Sequence, residues 1–237
     1  MRLGKWFLMM IISILTMILI DCNKLHTVKD IDGNVYQTIQ IGNQVWMAEN
    51  LKVTHYRNGT LIPNLTSRKD WVSTSSGAYC VYNNNDSNEV ETYGALYNWY
   101  AVVDSNYIAP EGWHVPTDEE WKELGIFLGM SQDEADAGGW RGTNEGSKLA
   151  GNSDLWNSGK LENESTIDSS GFTALPGGYR HSNYGDYFKM GVSGYFWTTT
   201  TTNGNEAWYH NLYYDNAGIT RSYFNKNYGF SVRCVRD

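Results

Sequence analysis

The residues best suited to chemistry are scattered along the chain. Five histidines, His26, His55, His114, His181 and His210, stand alone, with no H-E-x-x-H and no i, i+4 pair to hold a metal, so each reads as structural. Asp118, Glu119 and Glu120 form an acidic trio beside Trp121, and paired carboxylates are what glycoside hydrolysis requires. Thr117 explains the trio otherwise. With Glu120 it makes a T-x-x-E capping box, and Asp118 and Glu119 then fall in a first helical turn, where the macrodipole favours anions. The stretch from Asn83 to Glu89 is oxygen-rich, and Asn85, Asp86 and Glu89 are the residues that would serve calcium. It lacks the alternation and glycine of an EF-hand loop and reads first as a solvated Asn-rich turn, with calcium as the alternative. No G-x-S-x-G elbow occurs, and no Gly-rich phosphate loop followed by Lys. The expectation is a non-enzyme that needs no cofactor.

Aromatic rings give the denser signal. The chain holds 17 Tyr, 10 Trp and 7 Phe in 237 residues, and Trp197, Trp208, Tyr209, Tyr213, Tyr214, Tyr223 and Tyr228 crowd its last quarter. Adjacent pairs such as Trp208-Tyr209 must point to opposite faces of a strand, so some rings should meet solvent, where they suit sugars or protein loops. Trp208, His210 and Asn211 are the candidate contact residues, a ring for stacking beside polar groups. An aromatic core is the competing reading.

The first 20 residues place Arg2 and Lys5 before an apolar run from Trp6 to Ile20. A run of that length suits an export signal and falls short of the roughly 20 residues that span a bilayer. It ends at Leu19-Ile20-Asp21-Cys22, which resembles the lipobox of bacterial lipoproteins, with Asp21 where a small residue is usual. The expected product is a lipoprotein of the outer membrane or cell surface, cut after residue 21 and anchored to membrane lipid through Cys22. Ordinary secretion and an uncleaved anchor are the alternatives. Residues 22–30 read as a tether and 31–237 as one domain. With Cys22 so assigned, Cys80 and Cys234 form an even pair in an exported protein, which predicts one disulfide; two buried thiols are the alternative. Formal net charge is −8, and no Lys/Arg cluster exists, which excludes nucleic acid as a partner.

The elements that must position these residues follow from pattern. Gly42-Asn43 between Val35–Ile41 and Gln44–Met47 predicts a tight hairpin. Leu96, Trp99, Tyr100 and Val103 at i, i+3, i+4 and i+7 predict a helix over 94–103. Thr117 opens a second helix, and Ser131, with Glu134, opens a third that Gly138-Gly139 would stop. Strands are expected at 172–175, 195–200, 207–214, 219–224 and 230–235, as an antiparallel meander. Two to three short helices between strands make an α+β fold, with the N-terminal hairpin near the C-terminal meander.

Several stretches together resemble the Fibrobacter succinogenes major paralogous domain: residues 41–51 (IGNQVWMAENL), 93–99 (YGALYNW), 112–121 (GWHVPTDEEW), Gly171-Phe172, 175–180 (LPGGYR) and 231–235 (SVRCV). The resemblance covers almost all of the chain after the export segment and implies a surface-attached bacterial protein, often a lipoprotein. More distantly, Pro-Thr-x-x-Glu-Trp and Gly-Phe-Ser-Val-Arg are similar to the C-type-lectin-like fold of formylglycine-generating and sulfatase-modifying domains. That likeness implies a fold and no activity. The paired cysteines of those enzymes and the Glu-Pro-Asn and Gln-Pro-Asp tripeptides of calcium-dependent lectins are missing. The functional expectation is a non-catalytic binding or envelope module for a glycan or protein ligand. An enzyme with an unrecognised site and a purely structural component are the alternatives.

Overall fold

Gly42 adopts φ 62°, a left-handed conformation that a side chain would strain. It reverses the chain between β2 (Val35–Ile41) and β3 (Gln44–Met47), the hairpin that the Gly-Asn pair predicts. The computed structural model describes residues 26–84, 88–202 and 204–237. Within it β1 (His26–Lys29) pairs with β2 along its whole length, so residues 26–29 belong to the sheet rather than to a tether. Cys22 and the export segment lie outside the described residues.

The hairpin is the core of a five-stranded sheet of order β1-β2-β3-β13-β6, completed by β6 (Trp113–His114) and β13 (Val235–Arg236). Val235 pairs with Trp46, so the N-terminal hairpin does meet the C-terminal end of the chain. A second sheet of six strands runs β7 (Gly139–Arg141), β12 (Asn216–Asn225), β11 (Glu206–Tyr213), β10 (Ser193–Thr201), β8 (Gly177–Arg180) and β9 (Tyr187–Met190). Its β10-β11-β12 centre is the expected antiparallel meander; β8 joins it in parallel. A short pair, β4 (Tyr79–Cys80) and β5 (Leu96–Tyr97), stands apart.

Seven helices lie among the described residues, more than the two or three expected: α1 (Arg68–Ser73), α2 (Asn88–Tyr93), α3 (Trp99–Val102), α4 (Asp118–Leu128), α5 (Gln132–Asp136), α6 (Glu145–Leu149) and α7 (Lys160–Asn163). Both predicted capping boxes form, Thr117 with Glu120 at α4 and Ser131 with Glu134 at α5. The helix expected over 94–103 does not. Gly94 sits at φ 74° against the Asn50 and Leu51 backbone, Leu96 and Tyr97 extend as β5, and the Asn98 side chain caps the short α3 that follows. The fold is α+β, with strand-rich antiparallel sheets.

Two hydrophobic clusters flank the six-stranded sheet. Trp197 and Tyr209 point into one with Tyr36, Met47 and Phe230; Phe196, Leu212 and Ile219 point into the other with Trp46, Trp121 and Phe172. The segments 172–175 and 230–235, expected as strands, run between elements and bond to several in turn. Phe230 bridges Tyr97, Ser231 bridges Phe196, and Ala174 bridges Ala150. Arg233 ties the two segments together. Its guanidinium, wholly buried, donates to Asn50 Oδ1 at 2.6 Å and to the carbonyls of Phe172 and Thr173. Burial pushes its pKa down to about 9.

The expected disulfide is absent. Cys80 packs with Trp71, Ala78 and Leu96, whereas Cys234 lies in the large cluster with Tyr36 and Met47, and both are free, buried thiols. Each side chain is committed to a different patch of core, and burial raises both thiol pKa values, Cys80 to about 11.

Candidate functional site

Trp208, His210 and Asn211 lie on β11 as expected, and the two-residue period sets Trp208 and His210 on one face. That face packs against α4 instead of meeting solvent. His210 is fully buried, its ring stacked on Trp121 at 4.7 Å. Trp208 is half-buried, covers the Arg221 guanidinium at 3.8 Å and meets Tyr223 edge-on. Asn211, on the opposite face, is buried and donates to the carbonyls of Gly194 and Leu212. The three do not form one ligand surface. Of the calcium candidates, Asn85 and Asp86 lie outside the described residues and Glu89 sits on α2. No group of three His, Cys, Asp or Glu side chains able to hold a metal occurs among the described residues.

The acidic trio opens a buried polar hub that the sequence pattern does not announce. Asp118 accepts three charge-assisted contacts from Arg221, at 2.9 and 3.0 Å from Nε and 2.6 Å from Nη2, and one from His210 Nε2 at 3.1 Å. Arg141 Nη2 lies 2.8 Å from His210 Nδ1. A guanidinium can only donate, so Nδ1 accepts and the ring proton sits on Nε2, directed at Asp118. Burial raises the Asp118 carboxyl, but the bonds from His210 and Arg221 outweigh it and hold the group well below the ordinary range. Burial pushes His210 down to about 4 despite Asp118. The pairing of acid with imidazole is that of a catalytic triad, yet both ring nitrogens are occupied, and none is left to take a proton from a nucleophile. The hub fixes the first turn of α4 to β11 and β12. Glu119 salt-bridges Lys122 at 2.7 Å, and Glu120 closes the capping box and bonds His114.

An open site lies at the β8–β9 hairpin. Its turn, through Gly185 at φ 66°, overhangs a cleft of about 520 Å³ lined by Thr66, Arg68, Asn83, Asn84, Asp186 and Phe188 among others. The buried Arg180 guanidinium makes the floor. Held between the Trp71 and Tyr187 rings at 4.6 and 4.9 Å, it donates to the carbonyls of Gly185, Leu65 and Thr66. Arg68 and Asp186 pair at 2.5 Å across the cleft, and Asn84 accepts from Tyr187 Oη.

Beside the cleft the hairpin carries rings outward. Tyr184 is 64% and Phe188 38% exposed. His181 lies between Tyr184 and Tyr228, with ring centroids 4.5 and 4.8 Å away. His181 Nδ1 accepts the Asn183 backbone N–H at 3.0 Å, so its Nε2–H donates to Tyr228 Oη at 3.0 Å. Tyr179, Tyr195, Tyr209, Phe224 and Tyr228 ring the buried Phe230. Burial raises the hydroxyls of Tyr179, Tyr195 and Tyr228 and pushes Tyr209 up to about 12, and it lowers His181. At neutral pH the cluster is uncharged and rich in hydrogen-bonding tips. Tyr228 belongs to the crowd of rings visible in the sequence. Tyr179, His181, Tyr184 and Phe188 do not, although Tyr179 and His181 at i, i+2 before a Gly turn are a hairpin pattern.

No curated protein matches the chain, and neither does any solved structure. The family model of the Fibrobacter succinogenes major domain matches residues 39–236, which include the hub, the cleft and the ring cluster, and the chain belongs to that family.

Proposed function

We propose that this protein is a non-catalytic binding module of the bacterial cell envelope, exported, lipid-anchored through Cys22, and taking a glycan or protein ligand on the ring cluster and cleft of the β8–β9 hairpin. One observation carries the reading. The exposed rings of Tyr184 and Phe188 adjoin the large cleft, while the His210–Asp118 pair is sealed inside the protein and the more exposed pairs His55–Asp32 and His114–Glu120 are not among the residues that line the cleft. Rings with protonated hydroxyls suit sugar faces and protein loops alike. The architecture is read as C-type-lectin-like, supported by the pairing of the N- and C-terminal strands and by the Pro-Thr-x-x-Glu-Trp helix entry. No cofactor enters the proposal.

Screening the full-length protein against glycans and envelope proteins tests it. Tyr184→Ala and Phe188→Ala should each weaken the ligand found by about tenfold, roughly 1.4 kcal/mol, with melting nearly unchanged. Binding that survives both substitutions would move the site elsewhere. The anchor is tested by labelling cells with a fatty-acid analogue, which should mark the wild type and not Cys22→Ser; equal labelling removes the anchor from the proposal.

A further inference from the structure

The pairing of β1 with β2 shortens the lead between the domain and its anchor. His26 is already in the sheet, opposite Thr38, so only Asn23, Lys24 and Leu25 separate it from Cys22. Four Cα-to-Cα steps span at most about 14 Å. Followed back from Lys29 to His26, β1 points along β2 toward the Gly42-Asn43 turn, and beyond Thr38 β2 continues to Ile41 before it turns. At ~3.4 Å per residue, Gly42 stands about 14 Å past His26. The tether reaches no farther in that direction than the turn does, so a lipid on Cys22 holds this end of the five-stranded sheet close to the membrane surface.

The last turn of α4 puts apolar side chains at that same end. A Cβ on Gly42 would stand 2.8 Å from the Phe127 ring, which therefore lies directly over the turn. Phe127 is 60% and Ile126 37% exposed, and neither joins a core cluster. The buried stripe of α4 contains Trp121, Leu124 and Leu128. Its outward face begins with the exposed Glu119 and Glu123 and changes to Ile126 and Phe127 one turn after Glu123. Carboxylates suit the solvent side of a helix; an exposed Ile-Phe pair at its end marks a surface that meets something apolar. Ile31 and Val35 are exposed as well, but they lie past the Lys29 end of β1, away from the tether. We propose that Phe127, Ile126 and the Gly42-Asn43 turn form the face by which the anchored domain rests on the bilayer that carries its lipid, with the ring set among the headgroups and Glu119 and Glu123 held clear. The tether makes this contact intramolecular, so two side chains suffice where they would not hold a free protein. The proposal rests on the Cys22 anchor of the function above and is independent of the ligand taken at the β8–β9 hairpin.

Quenching by membrane lipid tests the docking. The full-length protein, recovered from cells with its lipid, is placed in vesicles of phosphatidylethanolamine and phosphatidylglycerol that contain headgroup-spin-labelled lipid. A fluorophore is attached through Asn43→Cys or, at the far end of the hairpin, through Val35→Cys; Cys80 and Cys234 are buried. The Asn43 label should be quenched about threefold more strongly than the Val35 label. Ile126→Ser combined with Phe127→Ser should bring it down to the Val35 level with melting nearly unchanged, and Phe127→Trp should preserve it. Equal quenching of the two labels, or quenching at Asn43 that survives the double substitution, overturns the docking face while the anchor, read by fatty-acid labelling of the same protein, stands. A chain that carries no fatty-acid label overturns the anchor and the docking face together, and leaves ligand binding at the β8–β9 hairpin to its own test.

Discussion

The Asp118 hub and the β8–β9 ring cluster lie on opposite faces of one sheet and are built on opposite principles. The hub gathers Asp118, His210, Arg141, Arg221 and Lys122, and its core members are shut away from water. The cluster gathers Tyr179, His181, Tyr184, Phe188 and Tyr228, is uncharged at neutral pH, and exposes its outer rings. Ionisable groups that look catalytic in sequence do architectural work here, locking the entry of α4 to β11 and β12. The ring cluster proposed for recognition is neutral. The contrast shows why a census of acids and histidines misleads for this chain: what matters is whether a ring nitrogen or carboxylate oxygen is left unoccupied.

The comparison is broken most forcefully at Asp118. Asp118→Ala leaves the Arg221 and Arg141 charges beside His210 without their carboxylate, and the expected loss is about 3–5 kcal/mol in denaturant unfolding. A loss under 1 kcal/mol would mean that the hub is not what fixes α4.

Two histidines sharpen the comparison further, because their stability contributions run in opposite directions with pH. His210 has a folded pKa of about 4, below the unfolded value of roughly 6.5. Its contribution is complete above pH 6.5 and is lost as pH falls toward 4, where the unfolded state binds a proton that the buried ring cannot. The difference amounts to roughly 3 kcal/mol. His114 is half-exposed and donates to Glu120 at 2.7 Å and to Asp237 at 2.6 Å; the Glu120 bond raises its pKa against the pull of burial. Its contribution is complete below pH 6.5 and fades as pH rises through the elevated folded value. Solvent screening keeps it under about 1 kcal/mol. A pH series of unfolding free energies on the wild type and His210→Asn reads both effects. The acid slope should flatten in the variant, and an unchanged slope would locate the acid sensitivity outside the hub.

What the sequence made legible was local. The Gly42-Asn43 turn and the Thr117 and Ser131 capping boxes need only residues within four positions, and all three form as read. The helix over 94–103 was misread because the spacing of Leu96, Trp99, Tyr100 and Val103 fits a helical face, while Tyr97 is claimed by Phe230 and Leu96 by Cys80, partners that no local pattern names. Cysteine arithmetic counts thiols but not the distance between two core clusters. The hub was illegible for the same reason, since His210 and Asp118 lie 92 residues apart. The two-residue period of β11 does set Trp208 and His210 on one face. It could not say that this face packs on α4.

The seam that joins Val235 to Trp46, reinforced by the Arg233 to Asn50 bond across 183 residues, sets the order of events when the chain folds. Contacts of such separation bear the largest loop-closure entropy and form slowly. A nascent chain not yet extended to residue 233 holds β3 without its β13 neighbour and the 172–174 segment without the arginine that clasps it. The five-stranded sheet is therefore completed only once residues 235 and 236 can reach β3 and β6.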